Sequence, residues 1–442
     1  MVSGHACIRV QKMALPLIAR GHKVHLIAKK IPSFYEEYAS FTMTPAIDNY
    51  IEAIKMMAKS VDIFHVHNEP SWFVTAIKEY TDVPVVLDVH DADLARMTDD
   101  QEAEFKKQDI TAFRRNVEER NNFQLADALV YPSESFGRQV QAFYNLNQPQ
   151  LVLPSYVPKS LYRYNMGEYL GGLVYEGRVD LKEEVEKDPQ NAYSYCEYSD
   201  LAQKAHDIGI QFNIYAVRQD EKFINAYKDI AFVHEPKEYE KMLKRITRHD
   251  WGLVGNIHPT PEWDVALPNK FFEYLAAGIP IVAINAKTCS DLINESGIGI
   301  TVGSMEELKE RWREHEACRL NVTKFRQLFS MDNNIDQLES FYKHVLDNHS
   351  KEVMRYINTH VSKRRTICEV LREINDIAKT IDDEQVKKEL QDRILEGFAM
   401  GKKMNNKLFE YKHNWDAGVF NVNEDYAEDL NRRNGDKVAT HA

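Results

Sequence analysis

Leu267-Pro268-Asn269-Lys270-Phe271-Phe272-Glu273-Tyr274-Leu275-Ala276-Ala277-Gly278-Ile279-Pro280-Ile281-Val282-Ala283 is the stretch from which the fold is read. Pro268 and Asn269 open a helix, Gly278 stops it, and an apolar strand follows at once. The start of such a helix presents backbone N–H groups and the positive end of a dipole, which together suit an anion. Lys270 adds a charge in the first turn, and Glu273 lies one turn further in. Taken alone, these residues also fit an ordinary helix–strand connection with a solvated lysine and glutamate.

The same alternation extends on both sides. Upstream, the strands Gly172–Tyr175, Gln211–Ala216, Ile230–Val233 and Trp251–Val254 are separated by helices over 199–208 and 237–246. Before a connector at Leu153-Pro154-Ser155-Tyr156-Val157-Pro158 lies a second series. It comprises a helix over 8–20, strands at Val24–Ala28, Ile63–Val66, Val83–Val89 and Ala128–Tyr131, a crossover helix over 72–80 and a charged helix over 102–124. Nearly continuous apolar strands between helices imply parallel sheets buried on both faces, hence two tandem doubly wound α/β domains facing a cleft. Ligands of such sheets bind outside the carboxyl ends of the strands.

Downstream the pattern changes. Met354, Ile357, Val361, Cys368, Leu371, Ile374 and Ala378, then Val386, Leu390, Ile394 and Phe398, recur at helical spacing, which predicts a helical hairpin followed by a polar tail. From Lys351 onward 17 basic side chains balance 17 acidic ones, so the rest of the 442 residues carries the whole net charge of −12. An acidic body argues against a nucleic-acid groove, which needs cations to neutralise phosphates. No apolar run is long enough to span a bilayer. Five scattered cysteines without a C-x-x-C pair indicate neither a disulfide framework nor a zinc site and favour a reducing compartment. The expected place is the cytoplasm, or the periphery of a membrane.

The 267–283 stretch resembles the P-N-K-x-x-E-Y-x-A-A-G-x-P-V-V motif of GT-B-fold glycosyltransferases of family 4. Further segments match in the same order: Ala19-Arg20-Gly21-His22-Lys23-Val24, Asp62-Ile63-Phe64-His65-Val66-His67-Asn68, Asp88-Val89-His90-Asp91, Ala126 to Glu134, and Val174-Tyr175-Glu176-Gly177-Arg178. The resemblance implies the GT-B fold and sugar transfer from a nucleoside diphosphate sugar, with retention at the anomeric carbon and without metal or other cofactor. It also implies that Glu273 binds the donor ribose, while Pro268, Asn269, Lys270, Gly177 and the loop at Gly4 bind the rest of the donor. Arg178 and Lys182 would assist departure of the diphosphate, and His90 would orient the transferred sugar. Lys182 stands four positions after Arg178 where relatives have five, and Val265 occupies the place of a second glutamate. His65 and His67 flank Val66 and are expected on opposite faces of the sheet.

The organisation implied is a first, acceptor-side domain over 1–153, a nucleotide-sugar domain over 154–330, a crossover helix over 331–349, a helical extension over 350–412 and a tail over 413–442. Only Met1 and Val2 precede Ser3-Gly4-His5, so the first strand, central in this topology, is expected to be missing, as from a misplaced start; a chain lacking it is a candidate for lost activity. The expected partners are the donor, an unidentified glycan or lipid-linked acceptor, and a second copy or partner protein through 350–412. A non-catalytic subunit working through its helical tail, and a GT-B-fold sugar-nucleotide epimerase, are the competing readings; transfer to modified nucleic acid is disfavoured by the acidic body.

Overall fold

The computed structural model describes residues 1–4, 7–29, 35–44, 47–68, 73–92, 119–164, 167–187 and 193–359. Two parallel sheets organise them. The first comprises β1 (Val2–Ser3), β2 (His25–Ala28), β3 (Ser40–Met43), β4 (Phe64–His67), β5 (Val85–Asp88), β6 (Ala128–Tyr131) and β7 (Gln150–Val152), in the order β3-β2-β1-β4-β5-β6-β7. The second comprises β8 (Leu173–Glu176), β9 (Phe212–Tyr215), β10 (Phe232–His234), β11 (Trp251–Gly255), β12 (Ile281–Ile284) and β13 (Gly299–Val302), in the order β10-β9-β8-β11-β12-β13. The central strands β4, β5, β6, β8, β9, β11 and β12 are buried along their whole length, as their apolar runs require. The edge strands β3 and β7 carry polar residues and are partly exposed, so no apolar run announces them.

Six helices position the site: α1 (Ile8–Ala19), α2 (Glu134–Tyr144), α3 (Tyr239–Ile246), α4 (Pro261–Val265), α5 (Asn269–Ala277) and α6 (Met331–Thr359). The long α6 returns to the first domain. Its Met331, Ile335, Leu338, Phe341 and Val345 pack with Val10, Met13, Ala14 and Leu17 of α1 in one core. Each of these side chains but Ala14 contributes about 1.5–3 kcal/mol relative to exposure. The helix runs on to Thr359; the rest of the expected extension, the tail and residues 102–118 of the expected charged helix lie outside the described residues.

Two expectations are corrected. The first strand is present: Val2 pairs with Ile27 and Val66, and Ser3 with Ala28 and His67, so β1 occupies the centre of the sheet. Pairing needs only backbone groups. The carbonyls of Met1 and Gly4 extend it by accepting from the Ile27 and Lys29 N–H groups at 3.0 and 3.2 Å. A cavity of about 430 Å³ is lined by Met1 together with His22 to His25 and Val61 to His65. Second, His65 and His67 share a face, with ring centroids stacked 4.4 Å apart. Residues two apart on a strand always do, because the side-chain period is two.

Candidate functional site

Helix α5 is nearly all core: Phe271, Phe272, Tyr274, Leu275, Ala276 and Ala277 are buried with Glu273 among them. Pro268 caps its start with φ −75°, and Gly278 ends it at φ +75°, a left-handed conformation that favours glycine. The Tyr274 hydroxyl donates to Leu253 O at 3.2 Å and accepts from Glu176 N–H at 3.3 Å, which ties the helix to the end of β8 and the middle of β11. The start of α5 shares a cavity with residues of both halves. This cleft cavity, of about 530 Å³, is walled by Arg9, His90 and Ser155 from the first half and by Glu176, Gly177, Tyr239, Glu262, Pro268, Asn269, Lys270 and Glu273 from the second.

A carboxylate buried in such a helix needs a counter-charge. Glu273 finds it in Lys12, whose Nζ lies 2.8 Å from Oε1 and 3.2 Å from Asn269 Oδ1. Both side chains are fully buried, so the pair crosses from the first domain to the second. Glu176 is the other carboxyl there. Burial, and then the charge of Glu273, push its pKa well above the usual carboxylate range. Burial also pushes Glu273 upward, but the Lys12 charge and hydrogen bonds from Glu176 and Lys12 outweigh it and hold Glu273 below the usual carboxylate range. Lys270 Nζ sits 4.8 Å from the Tyr175 ring centroid, beside Gly177. At φ +129° Gly177 favours glycine, and a Cβ there would come within 3.4 Å of the Lys270 ammonium.

On the opposite wall, His90 Nδ1 lies 3.1 Å from Asp88 Oδ1. A carboxylate only accepts, so Nδ1 carries the hydrogen; Nε2 lies 3.8 Å from Asp91 Oδ2 at the cavity wall. Burial pushes Asp88 upward, yet Arg9 and the hydrogen bond from His90 hold it well below the usual carboxylate range. Arg9 Nε reaches both Asp88 oxygens at 2.9 and 2.7 Å, while its Nη atoms donate to Ser155 Oγ and Leu153 O. Donor atoms of His65, His67 and Asp88 lie within 4.8 Å of one another, a set that by type could hold a divalent cation. Arg9 Nε already engages both carboxylate oxygens, and its charge opposes that of a cation there.

His90, Gly177, Pro268, Asn269, Lys270 and Glu273 thus meet at one cavity. Arg178 lies beside it, half-exposed, bonded to Asp180 Oδ1 at 2.9 Å and stacked 4.6 Å from the Tyr193 ring centroid. Lys182 lies elsewhere, exposed and 3.8 Å from Asp200, in a separate concavity with Glu183, Glu186 and Glu197. Gly4 is engaged through its carbonyl, which accepts from Tyr50 Oη at 3.3 Å; the loop residues 5–6 lie outside the described residues. Sequence reasoning missed Arg9, Lys12 and Glu176. The available signal was the pair Arg9 and Lys12, one turn apart in the helix over 8–20.

The residues from 8 to 157 match the model of Glycosyltransferase Family 4, and residues 192–338 match that of the Glucosyltransferase 3-like C-terminal domain. The chain is a GT-B glycosyltransferase resembling family 4. The fold of this glycosyltransferase is shared by sucrose-phosphate synthase from Thermosynechococcus elongatus, with TM-score 0.58 and 12% identity over 77% of this chain and 93% of that one. A glycosyltransferase from Rickettsia africae gives TM-score 0.52 and 11% identity over 78% and 98%. Anabaena HepE, solved in complex with UDP, gives 0.52 and 10% over 77% and 97%. No curated protein matches the sequence. Among the described residues, no helix is long and apolar enough to cross a membrane.

Proposed function

We propose that the protein transfers a sugar from a nucleoside diphosphate sugar to a glycan or lipid-linked acceptor, with retention and without a metal ion, in the cytoplasm or at a membrane periphery. The observation that carries this reading is the meeting of a buried Glu273, paired with Lys12, with Lys270 and the start of α5 in one cleft cavity. An ionised carboxylate accepts hydrogen bonds from both hydroxyls of a ribose. One turn away, Lys270 and the helix start supply positive charge for the diphosphate, whose negative charge grows as the sugar departs. A diphosphate so held can take the acceptor proton on the face it leaves, so no protein nucleophile is needed. His90, held by Asp88, would present Nε2 to the sugar hydroxyls. The similar fold of a protein solved with UDP supports a nucleotide in this cleft.

Calorimetry with UDP, GDP and ADP tests the donor class. One of them is expected to bind, and Glu273→Ala to weaken it at least tenfold, the scale of lost hydrogen bonds to a charged group. If wild type binds none, the donor assignment fails; if it binds and Glu273→Ala is silent, the ribose assignment fails. Turnover with and without EDTA tests the metal, and the anomeric configuration of the product by NMR tests retention.

A further inference from the structure

We propose that Lys12 is a positioning residue of the donor site: it reaches from the first domain across the cleft to hold Glu273 in the orientation that receives the ribose. This rests on the donor reading above. Lys12 stands on α1, one turn after Arg9, and its ammonium is fully buried against two α5 residues one turn apart, Glu273 and Asn269, both of which wall the cavity. Arg9 anchors the same helix face to Asp88 on β5 and to Leu153 and Ser155 in the connector. The polar stripe of α1 therefore joins the end of the first sheet, the interdomain connector and the donor helix.

The groups facing Glu273 explain why a cation is needed there. Glu176 approaches it from the end of β8, Tyr239 from α3, and Asn269 lies beside it on α5, while Lys270 is directed toward Gly177 and the Tyr175 ring. Two buried carboxyls in contact cannot both ionise. Lys12 bonds only one of them, Glu273, and so decides which oxygen pair is the acceptor and leaves the proton on Glu176. Without the ammonium, the two carboxyls share the proton, and Glu273 loses acceptor strength toward ribose hydroxyls. The first domain thereby contributes to nucleotide recognition through a residue that makes no contact with the base or the sugar.

The test compares affinity for the bound nucleoside diphosphate with affinity for its 2′,3′-dideoxy analogue, in wild type, Lys12→Gln, Lys12→Met and Lys12→Arg, at several pH values. Wild type is expected to prefer the ribose form by about tenfold or more, evenly between about pH 6 and pH 8. Lys12→Gln and Lys12→Met are expected to lose that preference near neutrality and to regain part of it as pH rises; Lys12→Arg is expected to keep it. Thermal melts identify any variant that fails to fold, and Lys12→Gln, which retains hydrogen bonding, then replaces Lys12→Met. A wild-type preference with both neutral variants unchanged overturns the role of Lys12. If wild type itself shows no preference, the fault lies with the ribose assignment of Glu273.

Discussion

Lowering the pH from about 7.5 to about 5 is expected to destabilise the first domain through His65 and His67. Both are fully buried, and burial lowers them, His65 to about 3 and His67 well below its ordinary 6.5. In the folded state they are neutral; in the unfolded chain they protonate as pH falls below 6.5. The unfolded state then holds more protons, so stability is full above that value and is lost progressively down to the folded pKa. At about pH 5 the loss is about 2 kcal/mol for each histidine, or about 4 kcal/mol for the pair. That is a large part of a typical 5–15 kcal/mol and corresponds to a fall in Tm of about 10 °C. Paired thermal melts at the two pH values, on wild type and on His65→Asn/His67→Asn, measure it. The double variant should lose most of the pH-dependent fall, whatever its Tm at pH 7.5. An undiminished fall would refute the neutral-pair reasoning.

The two lysines assigned to the diphosphate should separate. Lys270→Ala is expected to weaken nucleoside diphosphate binding by about 10- to 100-fold, as for a lost charged hydrogen bond, whereas Lys182→Ala, in its separate acidic concavity, should change it less than about twofold by the same calorimetry. Arg9→Met should leave the Asp88 carboxylate buried without its fork and cost about 3–5 kcal/mol, read from urea unfolding of wild type and variant. A cost under about 1 kcal/mol would mean that Asp88 is ionised by other means, or not ionised.

What could be read ahead of the structure divides along physical lines. The central strands and α5 were legible because a parallel strand buried on both faces is a continuous apolar run, and because proline and glycine bracket α5 at both ends. Strands β3 and β7 were not, since a half-exposed edge strand has no such run. The short β1 was discounted by length, yet a central strand is defined by its backbone partners, and the flanking carbonyls of Met1 and Gly4 complete the pairing. Those signals report burial along one element, and they say little about which elements meet.

The site shows the same division more sharply. Residues on the donor side lie close together in sequence, from Pro268 to Glu273, and a motif could collect them. Lys12 and Glu273 are 261 positions apart and touch only because the second domain folds back over α1. In the sequence, a basic pair such as Arg9 and Lys12 on a helix reads as the solvated edge of an amphipathic face. Burial reverses that meaning, because an ammonium removed from water is tolerable only beside a carboxylate. Glu273 is held to the same condition, since a carboxylate inside α5 would be protonated without a cation and would then accept ribose hydroxyls poorly. Each charge is therefore the reason the other can be buried. The donor site is accordingly complete only when both domains are in place, and a donor domain expressed without α1 should bind nucleotide weakly even if it folds.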